Sequence, residues 1–131
     1  MSSLDNIFNN NSPFLQVSTL VTAGCVSNLL SLAFEGGSNY WYTDLEEGHV
    51  PDGVSVDFFH VELPVKGGTV LFVDKETEIQ HTLDQKTIVN GLQVMAERYP
   101  EHWADVLRDD GDANTGDVFL QCCIFGELVY G

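Results

Sequence analysis

The sequence predicts an α+β fold: one domain in which an antiparallel sheet of three to four strands carries helices packed on one face. Two observations predict it. Helix-like apolar periodicity opens the chain and returns in its last third, while strand-like alternation broken by glycine turns fills the middle. The length of 131 residues with 44% hydrophobic residues suits a single core that needs neither disulfide nor metal.

Residues 1–13 are rich in Asn and Ser and read as a flexible N-terminal arm, with Ile7 and Phe8 as a docking point. The domain proper is expected to run from 14 to 131. A helix is expected over 16–34, where Leu20, Val21, Gly24, Leu29, Leu32 and Ala33 approximate one apolar side. Gly36 suits its end, where a left-handed residue is wanted. A strand is expected over 39–45, with Tyr40 and Tyr42 on one face and Trp41 and Thr43 on the other. After a loop holding Gly48, Pro51 and Gly53, a second strand is expected over 55–65, bulged at Phe58 and Phe59. Lys66, Gly67 and Gly68 form a turn, so that 62–65 and 69–72 read as a hairpin, and the third strand runs over 69–74. A short fourth strand is expected over 78–81.

Thr82 with Gln85 three residues on resembles a capping box. Ile88, Val89, Leu92, Met95, Ala96 and Tyr99 then mark one helix face, and Gly91 within it allows close packing. Pro100 ends that helix or opens the next, over 101–108. A loop over 109–116 leads to a last helix over 117–125, capped at Thr115 and stopped at Gly126. It is apolar nearly all round, which places it centrally. Residues 127–131 are expected at a sheet edge.

Charge bounds the function. Twenty acids against five bases leave a net charge of −15. Such a field repels nucleic acid and anionic membranes, and it favours a basic partner surface or cations. Direct nucleic-acid binding is therefore not expected. No run of apolar residues is long enough to span a bilayer, and the first residues lack the basic and apolar regions of a signal peptide. Three cysteines, Cys25, Cys122 and Cys123, are odd in number and lie in apolar surroundings. They read as reduced core residues.

Catalytic and metal chemistry find little purchase. Asp110, Asp112 and Asn114 alternate as in a calcium loop, but Thr115 stands where that loop needs glycine and Gln121 where it needs glutamate. Acids ahead of a helix also serve its N-terminus. His60 and Glu62 match the His-x-Glu of zinc deaminases without the Pro-Cys-x-x-Cys element that must accompany it. His49, His60, His81 and His102 are dispersed. There is no nucleophile elbow and no phosphate-binding glycine loop. No catalytic residue, metal or cofactor is expected.

The strongest site candidate is Glu35-Gly36-Gly37-Ser38-Asn39-Tyr40-Trp41-Tyr42. Gly36 and Gly37 would let backbone amides approach a ligand, Ser38 and Asn39 would hydrogen-bond it, and Tyr40 and Trp41 would stack on a base. The same residues also read as a helix stop followed by an aromatic strand that fills the core.

That segment and the ending Asp117-Val118-Phe119-Leu120-Gln121-Cys122-Cys123-Ile124-Phe125-Gly126-Glu127-Leu128-Val129-Tyr130-Gly131 together resemble a widespread group of small uncharacterised bacteriophage proteins. Those look alike in an EGG-x-x-YW start and a D-x-x-x-Q-x-x-x-FGE-x-x-YG end. The resemblance implies a phage protein of the host bacterial cytoplasm and implies no reaction. It links the two segments, so they are expected to meet, which adds Gln121 and Glu127 to the candidate ligand-binding set. Small non-enzymatic phage proteins often counter host defence. The expected mechanism is sequestration of a small nucleotide-type immune signal, usually by a homo-oligomer; the alternative is acidic mimicry of nucleic acid in the basic groove of a host defence protein.

Overall fold

Thr22 starts the first helix. Its backbone is extended and its hydroxyl accepts the Cys25 N–H at 3.1 Å, so α1 runs over Ala23–Leu32. In this computed structural model, which describes residues 10, 11 and 14–131, the stretch 15–22 before it is irregular. The helix expected from Gln16 therefore begins seven residues late. Val17, Thr19, Val21 and Thr22 are all β-branched, which weakens a helix start, and Thr22 finds a better role as cap. The expected arm over 1–13, with Ile7 and Phe8, lies outside the described residues apart from Asn10 and Asn11.

A π-helical turn over Ala33–Gly37 follows α1. Gly36 is not the left-handed stop expected of it: its φ of 178° is extended. The chain then turns on Ser38, whose carbonyl accepts the N–H groups of Trp41 and Tyr42 at 3.1 and 3.2 Å. Only after this turn does β1 begin, over Tyr42–Glu47. Tyr40 and Trp41 therefore precede the strand, and the face assignment expected for 39–45 does not hold.

The strand expected over 55–65 is absent. The chain there forms α2, over Phe59–Glu62, and a 3-10 turn over Pro64–Lys66. Glu62 explains the change. Its carboxylate accepts the N–H groups of Asp57 and Phe58 at 2.9 and 2.6 Å and holds Lys66 at 3.0 Å. These bonds close a helical turn where the apolar alternation alone reads as strand. Pro64, lacking an N–H, cannot serve a ladder either. So the hairpin expected between 62–65 and 69–72 does not form.

The sheet is three-stranded and antiparallel, in the order β1, β2 (Val70–Asp74), β3 (Gln80–Leu83). β1 meets β2 with Tyr42 opposite Asp74 and Glu47 opposite Val70, and a bulge lies between Thr43 and Glu46 with Asp44 at a φ of 54°. β3 starts two residues later than expected. Val70, Phe72 and Asp74 of β2 are buried, while Leu71 and Val73 between them face away from the core.

The last third follows the periodicity more closely. α3 covers Gln85–Arg98 and α4 Pro100–Leu107. The N-cap of α3 is Asp84 rather than Thr82: Asp84 accepts the Thr87 N–H, and the Thr87 hydroxyl accepts the Asp84 N–H, both at 2.9 Å. α5, over Ala113–Phe125, repeats the device with Asp112 as cap and Thr115 as its reciprocal partner, so it starts before the expected Asp117. Gly126, at a φ of 71°, ends it as expected.

α5 is the central helix, with every residue of 115–123 buried. Around it lie α1, the π-turn, α3 and the inner face of the sheet, which contribute Leu30, Ala33, Met95, Phe72 and Leu83 to one core. The close approach of α3 depends on Gly91, since a Cβ there would stand 2.3 Å from Cys123 Sγ and 2.7 Å from its Cα. Residues 127–131 do not join the sheet. They fold back across the end of α5.

Candidate functional site

The two segments of the resemblance meet around one buried carboxylate. Asp117 sits in the second turn of α5 and is 5% exposed. Ser38 Oγ and Trp41 Nε1 donate to its Oδ1, both at 2.8 Å. Tyr40 OH donates to its Oδ2 at 2.6 Å, and Gln121 Nε2, one helical turn on, at 3.1 Å. A carboxylate has about four acceptor positions, so this one is filled by side chains of the protein itself. Charge-assisted bonds of this kind are roughly twice as strong as neutral ones, which offsets the cost of burying the carboxylate.

Gln121 carries the network to the chain end. Its Oε1 accepts the N–H groups of Val129 and Tyr130 at 2.8 and 2.9 Å, and its Nε2 donates to the Tyr130 carbonyl at 3.2 Å. The Tyr130 ring stacks on Trp41 with centroids 5.6 Å apart. Its hydroxyl donates to both oxygens of Asp74, at 3.0 and 2.8 Å. Burial works to raise the Asp74 carboxyl, but the hydrogen bonds from Tyr130, Glu76 and Thr77 outweigh it and hold the group below its usual range. The Tyr130 phenol is pushed up to about 12 by its bond to Asp74 and by burial. Tyr40 is also pushed up to about 12, by burial first and then by the bond to Asp117.

The eight candidate ligand-binding residues divide sharply. Gly36, Gly37 and Tyr40 line an open cleft of about 600 Å³, together with His102, Asn114 and Asp117. Gly37 is required there, because a Cβ would fall 2.0 Å from the Ala113 carbonyl oxygen. Ser38, Trp41 and Gln121 are buried and spent on the network. Trp41, 1% exposed and packed among Phe72, Phe125 and Tyr130, is a core residue and cannot stack on a ligand. Asn39 is exposed, and its carbonyl accepts Lys75 Nζ at 2.9 Å. Glu127 is exposed on the chain end.

No family model, curated protein or solved structure matches the chain.

Sequence reasoning missed Asp117 and Tyr130, the two residues that organise the site. A signal for the first was present. Asp117 and Gln121 are four apart on a helix whose other residues in 118–123 are apolar, so they share one face and need a common partner.

Asp117 has no free acceptor position for a proton transfer. Elsewhere, Ser31 and His60 both bond to Glu35, at 2.6 and 3.0 Å, and these bonds lower its carboxyl, that from Ser31 most. The carboxylate stands between the hydroxyl and the imidazole, so the serine meets only a weak base, a carboxyl held below its ordinary range. Burial pushes the Cys122 thiol up to about 11 and Cys123 well above its usual value, which is the reverse of an activated thiol. Among the described residues no three His, Cys, Asp or Glu side chains are grouped to hold a metal, and no helix is long and apolar enough to cross a membrane.

Proposed function

We propose that this protein is a non-enzymatic accessory protein that occupies a basic, nucleic-acid-binding groove of another protein with its acidic exterior. One observation carries the reading: among the described residues only Asp74 and Asp117 of the acids are buried, so nearly all of the charge excess faces solvent. The bases do little to offset it. Lys66 and Arg108 pair with carboxylates on their own local turns, and Lys75 and Arg98 donate to the carbonyls of Asn39 and Gly126. A negative field of this kind steers association with a basic groove and competes there with phosphates. Taken with the resemblance to phage proteins, the setting would be the host bacterial cytoplasm and the partner a host defence protein.

A second reading has its own support. The cleft beside Gly36 and Gly37 presents the half-exposed Tyr40 ring and His102, a surface on which a nucleotide-type signal could stack. Against it, no Lys or Arg lines that cleft to meet phosphates.

The two readings separate in one experiment. The tagged protein is incubated with bacterial lysate, washed, and eluted first with duplex DNA and then by heat denaturation. The main reading expects a nucleic-acid-acting protein in the duplex eluate. A nucleotide released only by heat, with nothing in the duplex eluate, contradicts it and supports the second.

A further inference from the structure

Four large apolar side chains stand almost wholly in solvent on one short segment ahead of α1. Phe14 is 100% exposed, Leu20 95%, and Leu15 and Val17 about three quarters. Val89 on α3 lines one groove with Val17, Leu107 on α4 lines another with Leu20, and both are more than half exposed. Isolated apolar residues on a surface are ordinary, but a contiguous set of this kind marks an interaction site.

The surface beside the segment is grooved to match. Three grooves of about 350, 470 and 250 Å³ meet at Val21. The first lies toward α4, the second runs between residues 16–19 and α3, and the third lies between α1 and α3. Trp103, Val106 and Leu92 floor them, and Asp109 is the only charged residue among their lining.

Charge selects the occupant. Residues 14–34, which include the whole segment and α1, hold not a single acid or base in a chain of net charge −15. A basic partner would gain nothing from this face and would be drawn to the acidic ones. Two copies of the chain, by contrast, repel each other everywhere except where charge is missing. We propose that this face is the interface of a two-fold homodimer, in which residues 14–20 of each copy lay Phe14, Val17 and Leu20 into the grooves beside α1 of the other. A two-fold contact is self-complementary, and this face holds both the projecting side chains and the grooves that receive them. The proposal is independent of how the acidic surface is used.

Sedimentation equilibrium of the full chain tests it, together with the double substitution Val17→Glu and Leu20→Glu. The wild type is expected to be a dimer across the micromolar range. The variant, altered only at exposed positions, is expected to be a monomer with an unchanged urea midpoint. A second variant, Val89→Glu, alters the groove side and is expected to weaken the dimer at least tenfold. A wild type that stays monomeric to its highest soluble concentration overturns the proposal, even if the face captures some other protein. So does a dimer that both variants leave intact.

Discussion

The indole N–H of Trp41 donates to Asp117 Oδ1 at 2.8 Å, joining residues 76 positions apart in the chain. The bond fixes the turn before β1 to the second turn of the central helix. With Tyr40, Ser38 and Gln121 on the same carboxylate, it makes the two most distinctive segments of the sequence a fold-holding clasp.

Removing the acceptor should therefore unfold more than it disables. Asp117→Ala leaves four donors facing a buried void and is expected to cost about 3–5 kcal/mol, as when one partner of a buried charged group is deleted. Asp117→Asn keeps the shape but turns an amide N–H₂ toward donors, for a loss of roughly 1–3 kcal/mol. Urea denaturation measures both. An unchanged midpoint in Asp117→Asn would contradict the fold-holding role of the carboxylate.

The Tyr130–Asp74 bond predicts a pH dependence. The folded Asp74 carboxyl lies below its ordinary value, so its contribution is full above about pH 4 and is lost as pH falls through the lower folded value. Tyr130→Phe is expected to lower stability at neutral pH and to flatten the acid limb of the stability curve. At the alkaline end the sign reverses. Tyr40 and Tyr130 titrate near 12 when folded, so the stability tied to their hydroxyls is present below about pH 10 and fades as pH climbs toward 12. A spectroscopic titration in which all four tyrosines ionise together near their ordinary value would contradict this.

Gly91 sets two effects against each other. Alanine improves helix propensity by about 1 kcal/mol, but its Cβ would meet Cys123 backbone atoms at 2.7 Å, so one helix must move. Overpacking of this kind costs about 1–3 kcal/mol. The expected result for Gly91→Ala is a net loss in thermal or urea stability. A gain would show that α3 and α5 are less tightly packed than described.

Burial also predicts thiol behaviour. A disulfide exchange reagent is expected to leave Cys122 and Cys123 unmodified in the native protein and to reach them only on unfolding, while the partly exposed Cys25 reacts slowly. Rapid labelling of three thiols under native conditions would contradict the central placement of α5.

How much of this was legible depended on which forces acted locally. Helices α3 and α5 carry long apolar periodicities, and α5 was rightly placed at the centre because it is apolar nearly all round. The segment 55–65 was misread because its alternating valines and phenylalanines fit a strand. A single tertiary-neutral detail, the Glu62 carboxylate reaching back to two N–H groups, turns it into a helix instead. The caps were displaced for a related reason: Asp84 and Asp112 compete with Thr82 and Thr115 for the same role, and the carboxylate is the stronger acceptor. For the site, sequence located the meeting of the two segments but not its purpose. Tyr40 and Trp41 are neighbours of similar chemistry, and only the Ser38 turn, which no periodicity records, sends one outward to the cleft and the other into the core.

We propose that the acidic exterior does the binding. This is tested most directly by the affinity for the duplex-eluted partner measured as a function of salt. A steep loss is expected, with the logarithm of the binding constant falling linearly against the logarithm of salt concentration. An affinity that does not change with salt would contradict it.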